Sequence, residues 1–515
     1  MPAPLQLKSF LSGAWVSGDG PQSVLYDAVT GEPMAETSTR GIDLGAAMAY
    51  ARDVGGPALR AMTFAQRGAL LERLSVAIHT HRDELIELAQ QNSGNTRGDA
   101  KFDIDGASGT LMAYAKWGQA LGDRTFLLDG DQERFSRSKR FLAQHVQVPR
   151  QGVAVHINAF NFPAWGLGEK AAVALLAGMP ILAKPATATA VVTERIVRIW
   201  ADEADVPAGV VSLLCGSAGD LLDHLGPQDA VAFTGSGDTG RMIKGHPKVL
   251  EHNVPVNVEA DSLNAAVLGP DVEVGSDTFE MFVGDVVRDM TQKAGQKCTA
   301  TRRIFLPANT LQAALEVLTD RLDQAVVGHP SERATTVGPL ASKAQQQDIQ
   351  AGIDKLSSVA ERVWGNPSAA PDHGYYVAPA LFRSNDGVDA PFVHEHEVFG
   401  PVATVLPWGG EAGEVVKMVA KGGGGLVCSL YTDDADFGGQ VVLGLAAWHG
   451  RIYWGSRKVA DQGSGPGTVM PGLVHGGPGK AGGGEELGGL RGLGFYMQRC
   501  AVQGDTRLLT QVLGG

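Results

Sequence analysis

Cys298 lies in the stretch Gly295-Gln296-Lys297-Cys298-Thr299, which is small, polar and flanked by a lysine. Thiol chemistry needs thiolate character, and a nearby cation or exposed backbone N–H groups supply it. Structural cysteines more often sit among apolar neighbours. Other segments offer the remaining parts of one reaction. Asn161, in Asn158-Ala159-Phe160-Asn161-Phe162-Pro163, carries an amide that can donate to a developing oxyanion. Glu259 follows the apolar Val254-Pro255-Val256, and a carboxylate in that flank is expected to have a raised pKa suited to a general base. The turn Phe233-Thr234-Gly235-Ser236-Gly237-Asp238-Thr239-Gly240 can hold a phosphate on backbone N–H groups, and Lys184 in Lys184-Pro185-Ala186-Thr187 can meet a ribose or phosphate. Each has an ordinary alternative: a turn-forming Asn, a solvated carboxylate, a plain strand-to-helix turn, an exposed lysine.

These residues need elements to position them. Residues 70–91 carry Leu71, Leu74, Ile78, Leu85 and Leu88 at helical spacing. Residues 136–155 read as an extended hairpin. From Val153 the pattern becomes regular, with strands at 153–157, 180–183, 210–214 and 230–233. Helices at 169–177 and 190–204 and a short one at 220–225 separate them. Such alternation implies a parallel, doubly wound sheet, which binds ligands beyond the carboxyl ends of its strands. A second α/β region spans about 264–473, with a helix at 313–325 and a glycine run, 422–425, before the strand-like 426–431. The tail 495–503 reads as extended, able to pair with the hairpin or with another subunit. The glycine-rich run 475–488 reads as a loop passing close to a ligand or as a flexible linker, and its Glu-Glu-Leu-Gly end before a more apolar segment favours the first.

The chain has 515 residues, 44% hydrophobic, enough for two or three domains with a large core. Its net charge of -13 argues against broad binding to nucleic acid or acidic membranes. No apolar run suggests a membrane span or a signal peptide. Four dispersed cysteines favour a reducing, cytoplasmic setting and no disulfide framework or metal site.

Taken in order, the motifs Phe160-Asn161-Phe162-Pro163, Lys184-Pro185-Ala186, Phe233-Thr234-Gly235-Ser236, Glu259-Ala260-Asp261-Ser262, Gly295-Gln296-Lys297-Cys298 and Glu397-Val398-Phe399-Gly400-Pro401 resemble the aldehyde dehydrogenase superfamily over nearly the whole chain. The resemblance implies an α/β fold with a Rossmann-type cofactor domain (1–135 and 156–263) and an α/β catalytic domain (264–473). It also implies oligomerisation strands (136–155 and 495–515) and an active-site loop returning to the cofactor domain (474–494). It implies Cys298 as nucleophile, Asn161 as oxyanion donor, Glu259 as the base for water, and Lys170 and Glu486 in proton relay. Cofactor contacts fall on Lys184, Thr187, Phe233, Gly235, Ser236, Gly240, Glu397 and Phe399. Phe162 and His475 line the substrate tunnel, where other members often place an aromatic at the His475 position. Thr187 stands where strict NAD users carry Glu. A carboxylate would repel a 2′-phosphate and a hydroxyl can donate to it, so NADP is expected over NAD.

The run 475–504 resembles the dehydrogenase module of ring-cleavage enzymes in CoA-dependent phenylacetate and benzoate breakdown. The chain ends at Gly515, where the phenylacetate enzymes carry a further hydratase domain, so none is expected here. The implied substrate is a CoA-linked semialdehyde, 3,4-didehydroadipyl-CoA semialdehyde, oxidised to the acid through a cysteine thiohemiacetal and thioester. Transfer of the acyl group to CoA, or action on free aldehydes, are the alternatives. Arg302, Arg303, Arg457, Lys458 and Lys480 are candidates for a basic pocket mouth facing the CoA phosphates, with solvated surface charge as the alternative for each. A homodimer is expected from the hairpin and the tail.

Overall fold

The computed structural model describes residues 4–134, 137, 139–384 and 389–514. Two seven-stranded sheets dominate. The first, by starting residue, has the order Val256, Ala230, Ala154, Ile181, Val211, Ser9, Ala14. Its five strands from 154 to 259 are parallel, and the N-terminal Ser9–Leu11 and Ala14–Val16 extend it antiparallel. Ala154–Ile157, Ile181–Lys184 and Ala230–Thr234 are buried along nearly their whole length, as continuous apolar strands in a sheet covered on both faces must be. The second sheet has the order Glu361, Ala380, Val402, Arg303, Ala265, Gly425, His449, all parallel except the edge strand Glu361–Trp364.

Helices Trp165–Ala177 and Ala190–Glu203 cover the first sheet, with Arg97–Leu121 packed outside. Trp165–Ala177 ends at Gly178 (φ 100°), whose N–H bonds Ala174 O, a left-handed stop that glycine adopts without steric cost.

The helix expected over 70–91 is two helices, Phe64–Thr80 and Arg82–Ser93, meeting at His81 (φ -97°, ψ 18°). Thr80 Oγ1 donates back to Val76 O at 2.9 Å, and the His81 ring lies 3.2 Å from Glu84 and 2.8 Å from Glu203. Those contacts reward the kink more than an unbroken helix would.

The hairpin expected over 136–155 runs instead from Leu127–Glu133 to Phe141–Pro149, and Ser136 lies outside the described residues. Beyond Pro149 the chain already enters the first sheet at Ala154. The tail strand Met497–Asp505 pairs antiparallel with Phe141–Pro149 of the same chain, making a three-stranded sheet. The segment 495–515 is therefore not all strand: Asp505 accepts from Leu508 N and caps a helix, Thr506–Leu513. The glycine-rich run is not a loop throughout either. Val474–Gly477 and Gly484–Leu487 pair as a hairpin with His475 opposite Glu486. Its glycines are needed because backbone crosses backbone: a Cβ at Gly476 would lie 2.0 Å from Gly484 O, and one at Gly477 2.2 Å from Gly425 O.

Candidate active site

Parallel register places the chemistry at one edge. Ile157 stands opposite Lys184 and Phe233, and Thr234 stands opposite Glu259, so four strands release their chains side by side at their carboxyl ends. After Ile157 the chain reaches Asn161 and then the helix Trp165–Ala177. The Asp103 carboxylate accepts the N–H groups of Trp165 (2.7 Å) and Ala164 (3.3 Å), satisfying donors that a helix start leaves open. Asn161 Nδ2 donates to Gln296 O at 3.1 Å, tying this turn to the cysteine loop. An amide nitrogen has two protons, so one remains for an oxyanion.

The cysteine loop follows helix Asp277–Thr291. Lys293 (φ 55°), Ala294 (φ 51°) and Gly295 (φ 69°) are successive left-handed residues. The two non-glycine ones cost on the order of 1 kcal/mol each, so the surroundings must hold them. Lys293 Nζ donates to Asn95 Oδ1 at 3.2 Å and lies 4.4 Å from the Phe162 ring centroid. Arg302 donates to Gly295 O (3.0 Å), Lys297 O (3.2 Å) and Gly400 O (2.8 Å). Asn264 Nδ2 donates to Cys298 O at 2.7 Å. Gly295 is required here: a Cβ would sit 2.2 Å from Gly400 O.

Lys297 does not supply the expected cation to Cys298. Its ammonium is buried against Asp289 Oδ1 (2.7 Å) and Gln292 Oε1 (2.9 Å). The cation beside the thiol is His475, whose Nε2 lies 3.7 Å from Cys298 Sγ and 3.1 Å from Glu259 Oε1. The contact with Glu259 has ion-pair distance without hydrogen-bond alignment. Burial works against a charged imidazole, but Glu259 and the Cys298 sulfur outweigh it and raise the His475 pKa well above its ordinary value. The expected raised pKa of Glu259 is overturned by the same contact. Burial pushes its carboxyl up, yet His475, Lys170 and the Cys298 thiol together hold it below the usual carboxylate range. Burial, then the Glu259 charge, push the Cys298 thiol up to about 11, with His475 opposing.

These groups line a cavity of about 490 Å³, partly open to solvent, with Asn158, Asn161, Phe162, Trp165, Glu169, Lys170, Thr234, Val469 and others. Behind it Lys170 Nζ bonds Thr234 Oγ1 (2.8 Å), Glu486 Oε2 (2.9 Å) and Glu169 Oε1 (3.2 Å), and Asn257 Nδ2 bonds Glu486 Oε1 (3.2 Å). Burial works against the Lys170 charge, but Glu486 and Glu169 outweigh it and hold the proton. Burial pushes Glu169 up to about 7 against the pull of Lys170. Sequence reasoning singled out Lys170 and Glu486 and missed Glu169, although adjacent opposite charges in an otherwise apolar helix were a visible signal. It also missed Asp103, Asn264 and Lys293, whose partners are distant in sequence, and Asp289, whose partners Lys297 and Thr301 lie just past the turn of the cysteine loop.

Of the cofactor residues, Lys184 ends its strand, where burial lowers its ammonium pKa, and Thr187 opens the short helix Thr187–Thr189. Ser236 caps helix Gly237–Lys244, and Gly240 lets that helix approach the next strand, since a Cβ there would lie 2.8 Å from Val258. A Cβ at Gly235 would meet the Phe233 ring at 2.6 Å. The Gly237 N–H expected to face a phosphate already donates to Asp261 Oδ1 at 3.0 Å. Glu397 accepts from Arg302 Nε (3.1 Å) and Ser262 N (3.0 Å), and Phe399 lies edge-on to Phe160 at 5.9 Å. Lys184, Thr187 and Ser236 offer an ammonium and two hydroxyls, and Glu397 an acceptor carboxylate, groups whose chemistry fits the phosphates and ribose of a dinucleotide.

Two candidates for the CoA-facing mouth are corrected. Arg302 is buried as the clamp of the cysteine loop. Arg303 is buried among carbonyls of Leu263, Met418 and Val419 and the His394 ring. Arg457 and Lys458 are exposed, and exposed Lys480 donates to Glu395 O.

A doubly wound sheet opening onto a half-buried thiol, with an amide and a carboxylate in the same cavity, is an arrangement suited to thiol chemistry in an α/β enzyme. The chain belongs to the aldehyde dehydrogenase family, whose model matches residues 15–502. It is 43% identical over 480 residues to 3,4-dehydroadipyl-CoA semialdehyde dehydrogenase of Aromatoleum evansii, covering 92% of this chain and 93% of that protein. It is 29% identical to hydroxyisobutyraldehyde dehydrogenase of Mycolicibacterium austroafricanum, over 78% of this chain and 76% of that one. Betaine aldehyde dehydrogenase of Staphylococcus aureus, solved with NAD+, shares the fold at a TM-score of 0.84 and 23% identity, over 98% of this chain and 95% of that one. Among the described residues no helix is long and apolar enough to cross a membrane.

Proposed function

We propose that this protein is a cytoplasmic, NADP-preferring dehydrogenase that oxidises a CoA-linked semialdehyde, 3,4-didehydroadipyl-CoA semialdehyde, to its acid in benzoate degradation. The observation that carries the chemistry is the convergence of Cys298, Asn161 and Glu259 on one cavity. Cys298 attacks the aldehyde carbon. The Asn161 amide and the Cys298 backbone N–H hold the oxyanion. A bound nicotinamide supplies the hydride acceptor, so that the thiohemiacetal becomes a thioester. Lys184, Thr187, Phe233, Gly235, Ser236, Gly240, Glu397 and Phe399 would hold that cofactor, the Thr187 hydroxyl being able to donate where a carboxylate would repel a 2′-phosphate. Glu259 takes the proton of the water that hydrolyses the thioester, and Lys170, Glu169 and Glu486 pass protons away from the cavity.

The CoA-linked substrate is supported by the Aromatoleum relative and by an open groove that shares Trp165 and Val469 with the cavity. The groove encloses about 1080 Å³ of space continuous with solvent, is largely apolar, and has Lys101 on its wall. Helix Arg97–Leu121 contributes Gly98, Gly106 and Gly109 to it, and a side chain at Gly109 would meet nothing within 4 Å. That open apolar space beside the cavity gives room for a thioester arm larger than a free aldehyde. A homodimer assembled through the three-stranded sheet completes the reading.

The test is a turnover screen with NAD and NADP against free and CoA-linked semialdehydes, with products identified by mass spectrometry. The expected result is acid formed fastest from the CoA-linked substrate with NADP. Acyl-CoA as product would convert the assignment to an acyl-transferring dehydrogenase. Equal use of short free aldehydes would remove the CoA requirement.

A further inference from the structure

His475 stands at a position expected only to line the tunnel, yet its Nε2 is the atom that separates nucleophile from base. The distances are 3.7 Å to Cys298 Sγ and 3.1 Å to Glu259 Oε1. Nothing about a tunnel wall requires that placement, and an aromatic hydrocarbon ring would fill the same space without a proton to move. Lys297, the cation adjacent in sequence, is committed to Asp289 and Gln292. We propose that His475 is a catalytic residue that shuttles a proton between the Cys298 thiol and the Glu259 carboxylate.

The proton count closes over the cycle. At rest Glu259 is ionised, His475 is protonated and Cys298 is a thiol. Nε2 passes its proton to Glu259 and takes the thiol proton, leaving a thiolate beside an imidazolium. The thiolate adds to the aldehyde, and a hydride leaves the tetrahedral carbon for the nicotinamide cofactor, giving the thioester. Glu259 then loses its proton to solvent. In hydrolysis Glu259 takes a proton from water while the hydroxyl adds to the thioester carbon, and His475 returns its proton to the departing sulfur. The C–S bond breaks as the acid forms. Glu259 reprotonates His475, and the acid ionises. Two protons are released for each aldehyde, as oxidation by a nicotinamide cofactor with one water demands.

Several charged groups face this pair. Glu486 lies opposite His475 in the hairpin, Glu169 and Lys170 come from helix Trp165–Ala177, and Arg451 comes from strand His449–Gly455. Lys170 is held by Glu169 and Glu486, and Arg451 donates to Thr468 O and Pro466 O. Their arrangement leaves His475 as the cation in contact with sulfur. Its strong retention of a proton agrees with that placement.

The proposal rests on the functional reading above for the later steps, but its first step can be read without substrate or cofactor. Iodoacetamide alkylation of full-length protein is followed on the Cys298 peptide by mass spectrometry from pH 5 to 10, because Cys298 is half-buried and Cys500 is exposed. The wild type should react well below the pH at which a buried thiol ionises unaided. His475→Phe and His475→Gln should move the profile alkaline by at least about one pH unit, a tenfold loss of rate near neutrality, and added imidazole should restore part of it to His475→Phe. Folding of each variant is checked by circular dichroism, and the variant that folds is the one read. A profile unchanged in that variant overturns the proposal, as does loss of rate by the same factor at every pH. A shifted profile in a protein that oxidises no aldehyde would sink the dehydrogenase assignment and leave the shuttle standing.

Discussion

At the residue scale the unexpected feature is that the carboxylate proposed as the base is ion-paired. Glu259 was expected to be a lone carboxylate with a raised pKa; instead it shares a buried site with His475. The pair imposes a pH signature. His475 has a raised pKa, so its contribution to stability is whole below its ordinary 6.5 and fades as pH climbs through the raised value. Glu259 has a depressed pKa, so its contribution is present above its ordinary 4.5 and fades as pH falls through the depressed value. Compared with a Glu259→Gln/His475→Phe double variant, the wild-type melting temperature should therefore gain most between pH 4.5 and 6.5. Scanning calorimetry showing a flat difference up to pH 10 would contradict the ion pair. Glu259→Gln alone removes the charge that raises the His475 pKa, so a neutral imidazole can take the thiol proton itself. The variant should still form the thioester but release acid about 100-fold more slowly, seen as a burst of reduced cofactor in stopped flow. An unchanged steady-state rate would remove Glu259 from the role of water base.

At the element scale, the cysteine loop is shaped by what surrounds it. Three left-handed residues in succession are a conformation that a free loop avoids, and Arg302 fixes it by donating to Gly295 O and Lys297 O. Arg302 is in turn held by Glu397, a residue expected to touch the cofactor. Arg302→Met should lose about 3 kcal/mol of stability in urea melts, because it leaves the buried Glu397 carboxylate without its partner. It should also lower kcat more than KM, since the loop carries Cys298, the proposed nucleophile. Wild-type stability in that variant would show that the clamp is dispensable. The strand-to-turn element at 184–187 makes a separate prediction. Thr187→Glu should lower kcat/KM for NADP by about tenfold or more and spare NAD, because a carboxylate repels a 2′-phosphate. Equal losses with both cofactors would remove Thr187 from that contact.

At the scale of the whole molecule, the two large sheets close the cavity, and the three-stranded sheet stands apart with exposed apolar groups. Helix Thr506–Leu513 buries none of its residues, and Leu508 and Val512 are 52% and 71% exposed. An apolar helix face next to an exposed strand suits a subunit contact. A chain truncated after Asp505 should shift from dimer toward monomer in light scattering. An unchanged mass would place the interface elsewhere.

The alternation of short apolar strands with helices was legible from residue 153 onward because buried parallel strands and amphipathic helices have distinct periods. Cys298, Asn161 and Glu259 were legible as residue types, and their order along the chain carried the family. Glu169 left a trace as a charge beside Lys170 in an apolar helix. What remained hidden was every relation between residues far apart in sequence. Lys297 adjoins Cys298 in the chain but turns to Asp289, and Arg302 closes on a loop rather than on a ligand. His475 reaches both Cys298 and Glu259 across the fold. The sequence alone determined which groups were present and the strands that carry them, since local pattern governs secondary structure. Only the tertiary structure decided which charge meets which, because burial and distance set a pKa, and neither exists until the two sheets have closed on each other.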